Sequence, residues 1–105
     1  EKLNFSYCYK IKNFPYINNC LQLRSIDCKN CSELTNIPFL PPSLETLDCS
    51  FCSKLTKISF FPSSLQSLDC SYCYKLKNLP TFSNCTNLEK LKCSECDKIK
   101  EILGM

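Results

Sequence analysis

Eight of the eleven cysteines fall into four C-x-x-C pairs, Cys28/Cys31, Cys49/Cys52, Cys70/Cys73 and Cys93/Cys96. Thiols at that spacing can hold zinc, form disulfides or act as a redox dithiol. The second and third pairs together read C-x2-C-x17-C-x2-C, inside the spacing of a four-cysteine zinc site. Little else in the chain could do chemistry. It has no histidine, which removes the Ser–His and Cys–His arrangements of nucleophilic catalysis. Its one glycine is Gly104, so no phosphate-cradling loop can be built. Both absences argue against an enzyme.

The cysteines sit inside a repeat. From Ile26 the chain reads I-D-C-K-N-C-S-E-L-T-N-I, and related stretches begin at Leu47, Leu68 and Leu91. An earlier copy, L-N-F-S-Y-C-Y-K-I-K-N-F from Leu3, has Phe5 where the others have their first cysteine. The anchors Leu3, Ile26, Leu47, Leu68 and Leu91 lie 23, 21, 21 and 23 residues apart. A further leucine stands three residues before each of the last four anchors, at Leu23, Leu44, Leu65 and Leu88. Within a copy, alternating apolar residues such as Leu47 and Cys49 predict a short strand with one buried face. The apolar spacing then changes to every third residue, at Cys52, Leu55 and Ile58, as a tight coil requires. One such coil cannot bury its own face, but a stack of them buries a continuous core. Proline and serine clusters mark the returns as exposed turns.

The frame L-x-x-L-x-C-x-x-C-x-x-L resembles that of the leucine-rich repeat family in its short form, with cysteine at the third leucine position and at the asparagine position. The returns 38–43 (P-F-L-P-P-S) and 60–64 (F-F-P-S-S) are similar to those of bacterial effector proteins. Residues 79–91 are similar to repeats of plant intracellular immune receptors, and the Lys, Asn, Ile and Tyr bias resembles that of giant-virus proteins. The family implies an α/β leucine-rich repeat fold. We expect one domain over residues 1–105, a right-handed solenoid of about five coils, with repeats starting near residues 1, 23, 44, 65 and 88. Short parallel strands should line the concave face, joined by irregular Pro-rich returns with little or no regular helix.

Within that frame the thiols read as core. Phe5 serves where other copies have cysteine, so a residue that cannot ligate suffices there. A reduced cysteine packs as a small, deeply buried hydrophobe. Cys31, Cys52, Cys73 and Cys96 would then fill the family's asparagine position as weak hydrogen-bond groups. Neighbouring strands lie ~4.8 Å apart, wider than the Cβ separation of about 3.8 Å that a disulfide needs. Cys20 and Cys85 stand where Pro41 and Pro62 stand in other copies and read as fillers of the return. Buried thiols imply a reducing compartment, the cytoplasm of the producing cell or of a host. No metal or cofactor is required, and zinc stabilisation by the C-x-x-C pairs stays as an alternative.

The residues between the buried ones should point outward from the strands. They form the columns Asn4, Asp27, Asp48, Asp69, Lys92 and Lys2, Ser25, Thr46, Ser67, Lys90. A third is Ser6, Lys29, Ser50, Ser71, Ser94, and a fourth, at the strand ends, is Tyr7, Asn30, Phe51, Tyr72, Glu95. Three aspartates one strand spacing apart repel one another, a cost that a basic partner would relieve. Phe51 and Tyr72, expected to be exposed beside that charge, would be suitable anchors, so Asp27, Asp48, Asp69, Phe51, Tyr72, Lys90 and Lys92 are the candidate protein contacts. A lysine column, Lys10, Lys54, Lys75 and Lys98 flanked by Lys12, Lys57, Lys77 and Lys100, is broken by Glu33. The net charge is only +3 and Arg24 is the single arginine, which argues against nucleic acid. No apolar run approaches the ~20 residues of a membrane span.

The family implies a non-catalytic protein–protein interaction module. The alternatives are a structural component of a particle or larger receptor, and a zinc-stabilised domain. Apolar residues reach both ends (Leu3 and Phe5, then Ile99, Ile102 and Leu103) with no polar cap. The chain is accordingly expected to be part of a longer protein or to associate edge to edge.

Overall fold

A computed structural model describes residues 1–77, 79–96 and 99 of the chain. Among these, seven short strands form two parallel sheets, with almost no helix. The strands are β1 (Lys2–Asn4), β2 (Ser25–Asp27), β3 (Asn36–Ile37), β4 (Thr46–Asp48), β5 (Lys57–Ile58), β6 (Ser67–Asp69) and β7 (Lys90–Lys92). The main sheet has the order β1-β2-β4-β6-β7, so about four turns of solenoid link five strands. The register pairs Leu3 with Ile26, Ile26 with Leu47, Leu47 with Leu68 and Leu68 with Leu91. Those are the repeat anchors, each one coil further along.

Each coil is built the same way. The strand's central residue points inward, and Ile26, Leu47 and Leu68 are buried. Parallel rungs continue past the strand: Cys28 N donates to the Asp48 carbonyl and Cys49 N to the Asp69 carbonyl, at 2.8 and 2.9 Å. A first turn follows the second cysteine, with Leu34 N, Leu55 N and Leu76 N donating to the carbonyls of Cys31, Cys52 and Cys73. A second turn ends the return, with Leu23, Leu44, Leu65 and Leu88 N donating to the carbonyls of Cys20, Pro41, Pro62 and Cys85. Cysteine and proline thus serve alike as the acceptor at that corner, although Cys20 N and Cys85 N also donate, to the Ile17 and Phe82 carbonyls, a bond that proline cannot make.

The interior is one stack of Leu, Ile and Cys, including Leu34, Leu44, Leu55, Leu65 and Leu76, none of which keeps more than 1% of its surface exposed. Each leucine removed from water contributes roughly 1.5–3 kcal/mol, and every coil relies on its neighbours for that burial. At the two edges of the sheet Leu3 and Leu91 are only half-buried.

Two features depart from expectation. A second sheet that was not expected precedes the returns, where β3 pairs with β5. They belong to the two 21-residue coils, whose equal length keeps the register all the way round. The corner prolines also do not mark exposed turns, because Pro41 and Pro62 are buried. Ser43 Oγ donates to the Leu23 carbonyl at 2.6 Å and Ser64 Oγ to the Leu44 carbonyl at 2.5 Å, tying each return to the preceding coil.

Candidate recognition surface

The second cysteine of each pair does what the asparagine position requires. Cys31 Sγ donates to the Phe5 carbonyl at 3.3 Å, Cys52 Sγ to the Cys28 carbonyl at 3.2 Å and Cys73 Sγ to the Cys49 carbonyl at 3.0 Å. Cys96 Sγ donates to the Cys70 carbonyl at 2.8 Å. In every case the acceptor is the first-cysteine position of the preceding coil. The first column answers, because hydrogen bonding to Cys52, Cys73 and Cys96, with burial, pushes the thiols of Cys28, Cys49 and Cys70 well above the ordinary range. The same contact from Cys28 holds Cys52 below it. Burial raises Cys31 and Cys85. These sulfurs tie adjacent coils together, and among the described residues no group of three or more cysteine or carboxylate side chains converges as a metal site. Cys85 packs into the return as expected, while Cys20 is exposed at the same corner.

The sheet register aligns Asp27, Asp48 and Asp69 on successive rungs, and all three are half-buried. Each is also a turn residue. Asp27 Oδ1 accepts from Lys29 N at 3.1 Å, Asp48 Oδ1 from Ser50 N at 3.0 Å and Asp69 Oδ1 from Ser71 N at 3.0 Å. Asn4 Oδ1 accepts from Ser6 N at 2.9 Å in the first coil. Side-chain acceptors of this kind close a turn two residues on. One oxygen of each carboxylate is thereby committed to the fold. The second oxygen of Asp27 lies 3.6 Å from Lys29 Nζ. Lys90 and Lys92 extend the two columns onto the fifth strand and are exposed. A cleft at the head of the first three strands is lined by Lys2, Arg24, Ser25, Glu45 and Thr46 among others. Arg24 and Glu45 pair within it at 2.8 Å.

The third column faces outward at Ser94, which is exposed, but not at Ser50 and Ser71, which are only 5% and 7% exposed. Ser50 Oγ donates to Asp48 Oδ1 at 2.6 Å, and Ser71 Oγ accepts from Ser94 N at 3.2 Å. The first hydroxyl completes its turn and the second ties its coil to the next, so neither is presented to a partner.

The fourth column carries a property the residue types do not announce. Tyr7, Asn30, Phe51, Tyr72 and Glu95 all have φ between 59° and 61°. Asparagine tolerates this left-handed region, whereas for the others it costs about 1–2 kcal/mol. The conformation re-aims the chain after the strand while keeping its rungs, for Phe51 N donates to the Ser71 carbonyl and Tyr72 N to the Ser94 carbonyl. Phe51 is exposed and Tyr72 half-buried, so only the first meets the expectation of an exposed anchor. Their rings stack at 4.6 Å with an interplanar angle of 8°. In the lysine column Lys54 pairs with Glu33 at 2.9 Å, and that ammonium holds the Glu33 carboxyl below its usual range. Lys98 and Lys100 lie outside the described residues.

Residues 2–79 match a family model described as "Disease resistance protein RPS4B-like, leucine-rich repeats". Residues 63–104 match one described as "Leucine Rich repeats (2 copies)". The chain belongs to the leucine-rich repeat family. Repeats of this family generally mediate protein–protein interaction and are typically not enzymes. No match was found among curated proteins. Among the described residues no helix is long and apolar enough to cross a membrane.

Proposed function

We propose that this chain is a non-catalytic protein-interaction module whose concave sheet face recognises a segment carrying basic side chains. The observation that carries it is the row Asp27, Asp48 and Asp69. Parallel register sets these carboxylates about one strand spacing apart, ~4.8 Å. One oxygen of each is anchored by its own turn, so the carboxylates are held in place before a partner arrives. Preorganisation of this kind lowers the ordering cost of association. Lys90 and Lys92 reverse the charge at the fifth strand and would fix the partner's direction. Phe51 and Tyr72 stand at the rim. The buried thiols support a reducing compartment, the cytoplasm, as the site of action.

The test uses peptides selected from a random library on the immobilised chain. Lys and Arg should be enriched among the binders, and Asp48→Asn with Asp69→Asn should weaken them by tenfold or more. Asparagine keeps the turn acceptor, as Asn4 does, so the loss would report charge and not folding. Unchanged affinity would remove the aspartate row from the site.

A further inference from the structure

Beside the concave sheet, past the strand ends, the coils present a second surface of opposite character. Its upper row is the left-handed column, where Tyr7 and Phe51 keep 53% and 46% of their surface exposed in spite of the backbone cost of holding an aromatic residue there. Two residues on, Tyr9 and Tyr74 are 58% and 62% exposed and meet Tyr7 and Tyr72 edge to face, at 6.3 Å each. The next row is basic, with Lys10, Lys54 and Lys75 at the same position of three coils. Its one acid, Glu33, pairs with Lys54. Lys10 and Lys75 have no ion pair among the described residues.

The rings and the charge beside them select the ligand. Phe51 and Tyr72 are stacked almost parallel, so the faces they turn to each other are used up within the chain. The rim of an aromatic ring carries partial positive charge. Exposed rings above a lysine row therefore attract carboxylates and the faces of further aromatic rings. The single arginine and the net charge of only +3 argue against nucleic acid as the anionic partner.

We propose that this lateral face docks an acidic protein segment containing aromatic residues, its carboxylates on Lys10, Lys54 and Lys75 and its rings against Phe51, Tyr72 and Tyr74. It is separate from the aspartate row and stands or falls independently of it.

A random copolymer of glutamate and tyrosine is a suitable probe, labelled and titrated with the intact chain by fluorescence anisotropy at physiological salt. The repeat itself supplies substitutions compatible with the fold. Phe51→Asn with Tyr72→Asn places at both positions the residue that occupies it at Asn30. Tyr74→Ser follows Ser32 and Ser53, and Lys75→Glu follows Glu33. The copolymer should bind, the asparagine double variant and Lys75→Glu should each weaken it by tenfold or more, and Tyr74→Ser by at least threefold. Asp48→Asn, on the concave face, should leave it unchanged. Polyglutamate without tyrosine should bind at least tenfold more weakly. Equal binding of polyglutamate would overturn the aromatic part. Oligothymidylate binding as tightly as the copolymer, with loss in the same variants, would overturn the proposal in favour of nucleic acid. No binding of the copolymer, or loss with Asp48→Asn alone, would also overturn it.

Discussion

At the scale of single residues, the positive φ at Tyr7, Asn30, Phe51, Tyr72 and Glu95 separates what the backbone needs from what the side chain adds. At Glu95 the left-handed conformation has no stacked ring to offset it. Glu95→Asn should therefore stabilise the chain by about 1 kcal/mol, read as a rise in the urea midpoint. Phe51→Asn removes the same strain but also the stack on Tyr72, worth about 0.5–1.5 kcal/mol, and should be close to neutral. The thiols allow a second comparison. Cys73 donates to the Cys49 carbonyl, so Cys73→Ser keeps a donor and should cost about 1 kcal/mol less than Cys73→Ala. At Cys49 the order should invert, because the first coil fills that position with the apolar Phe5 and the contact with Cys73 offsets only part of the cost of burying a hydroxyl. Urea midpoints for the four variants check both orders. The thiol roles were legible from spacing, since a position that accepts Phe5 cannot be a required ligand. The φ sign was not, because Phe, Tyr and Glu give no hint of a left-handed backbone and Asn30 alone does.

At the scale of the element, the strand and the turn that ends it share residues. Asp48 closes its turn through two bonds, from Ser50 N and from Ser50 Oγ. Asp48→Ala should then cost about 1–2 kcal/mol, whereas Asp48→Asn should stay within about 0.5 kcal/mol because the amide oxygen still accepts. Thermal unfolding of the two variants side by side measures the difference. A partner that merely needed a polar surface would tolerate both. The columns of the sheet were legible in the sequence because equal repeat lengths fix parallel register, and the observed pairs are the repeat anchors. The double duty of the aspartates was not, since an outward position on a strand looks the same whether its carboxylate waits for a ligand or folds back on the chain. Ser50 and Ser71 went the same way, because alternation predicts direction only within a strand and each lies past the end of its own. The β3–β5 pairing was hidden for a different reason. Ile37 and Ile58 show in the every-third spacing, but two residues just ahead of each return are too few to show the alternation of a strand, and only the shared coil length of 21 residues aligns them.

For the whole molecule, the coils act together through their thiols and apart through their faces. Cys28, Cys49 and Cys70 have folded pKa values raised above the unfolded value of about 9. Below that value both states hold the proton, and the stability these groups contribute is fully present. As pH rises past it the unfolded chain ionises first and binds fewer protons, so stability falls, by up to about 1.4 kcal/mol per pH unit for each thiol. Cys52, shifted the opposite way, offsets part of the loss. Urea midpoints under reduction at pH 7.5 and at pH 10 should show the decline, and Cys49→Ala should make it shallower by the share of one thiol. The faces behave otherwise. With extents of 34 × 34 × 17 Å the molecule is thin, yet it keeps an acidic row on the sheet and a lysine row beyond the strand ends, separated by the turns that Asp27, Asp48 and Asp69 close. The described coils form one continuous parallel stack, and coupling between sites needs an element with two arrangements. A basic peptide bound to the concave face and the glutamate–tyrosine copolymer bound to the lateral face should therefore occupy one chain together, each altering the other's affinity by less than about twofold once charge is screened at physiological salt. Competition titrations decide it: mutual displacement would mean that the two rows form one surface, with Phe51 and Tyr72 as its centre and not its rim.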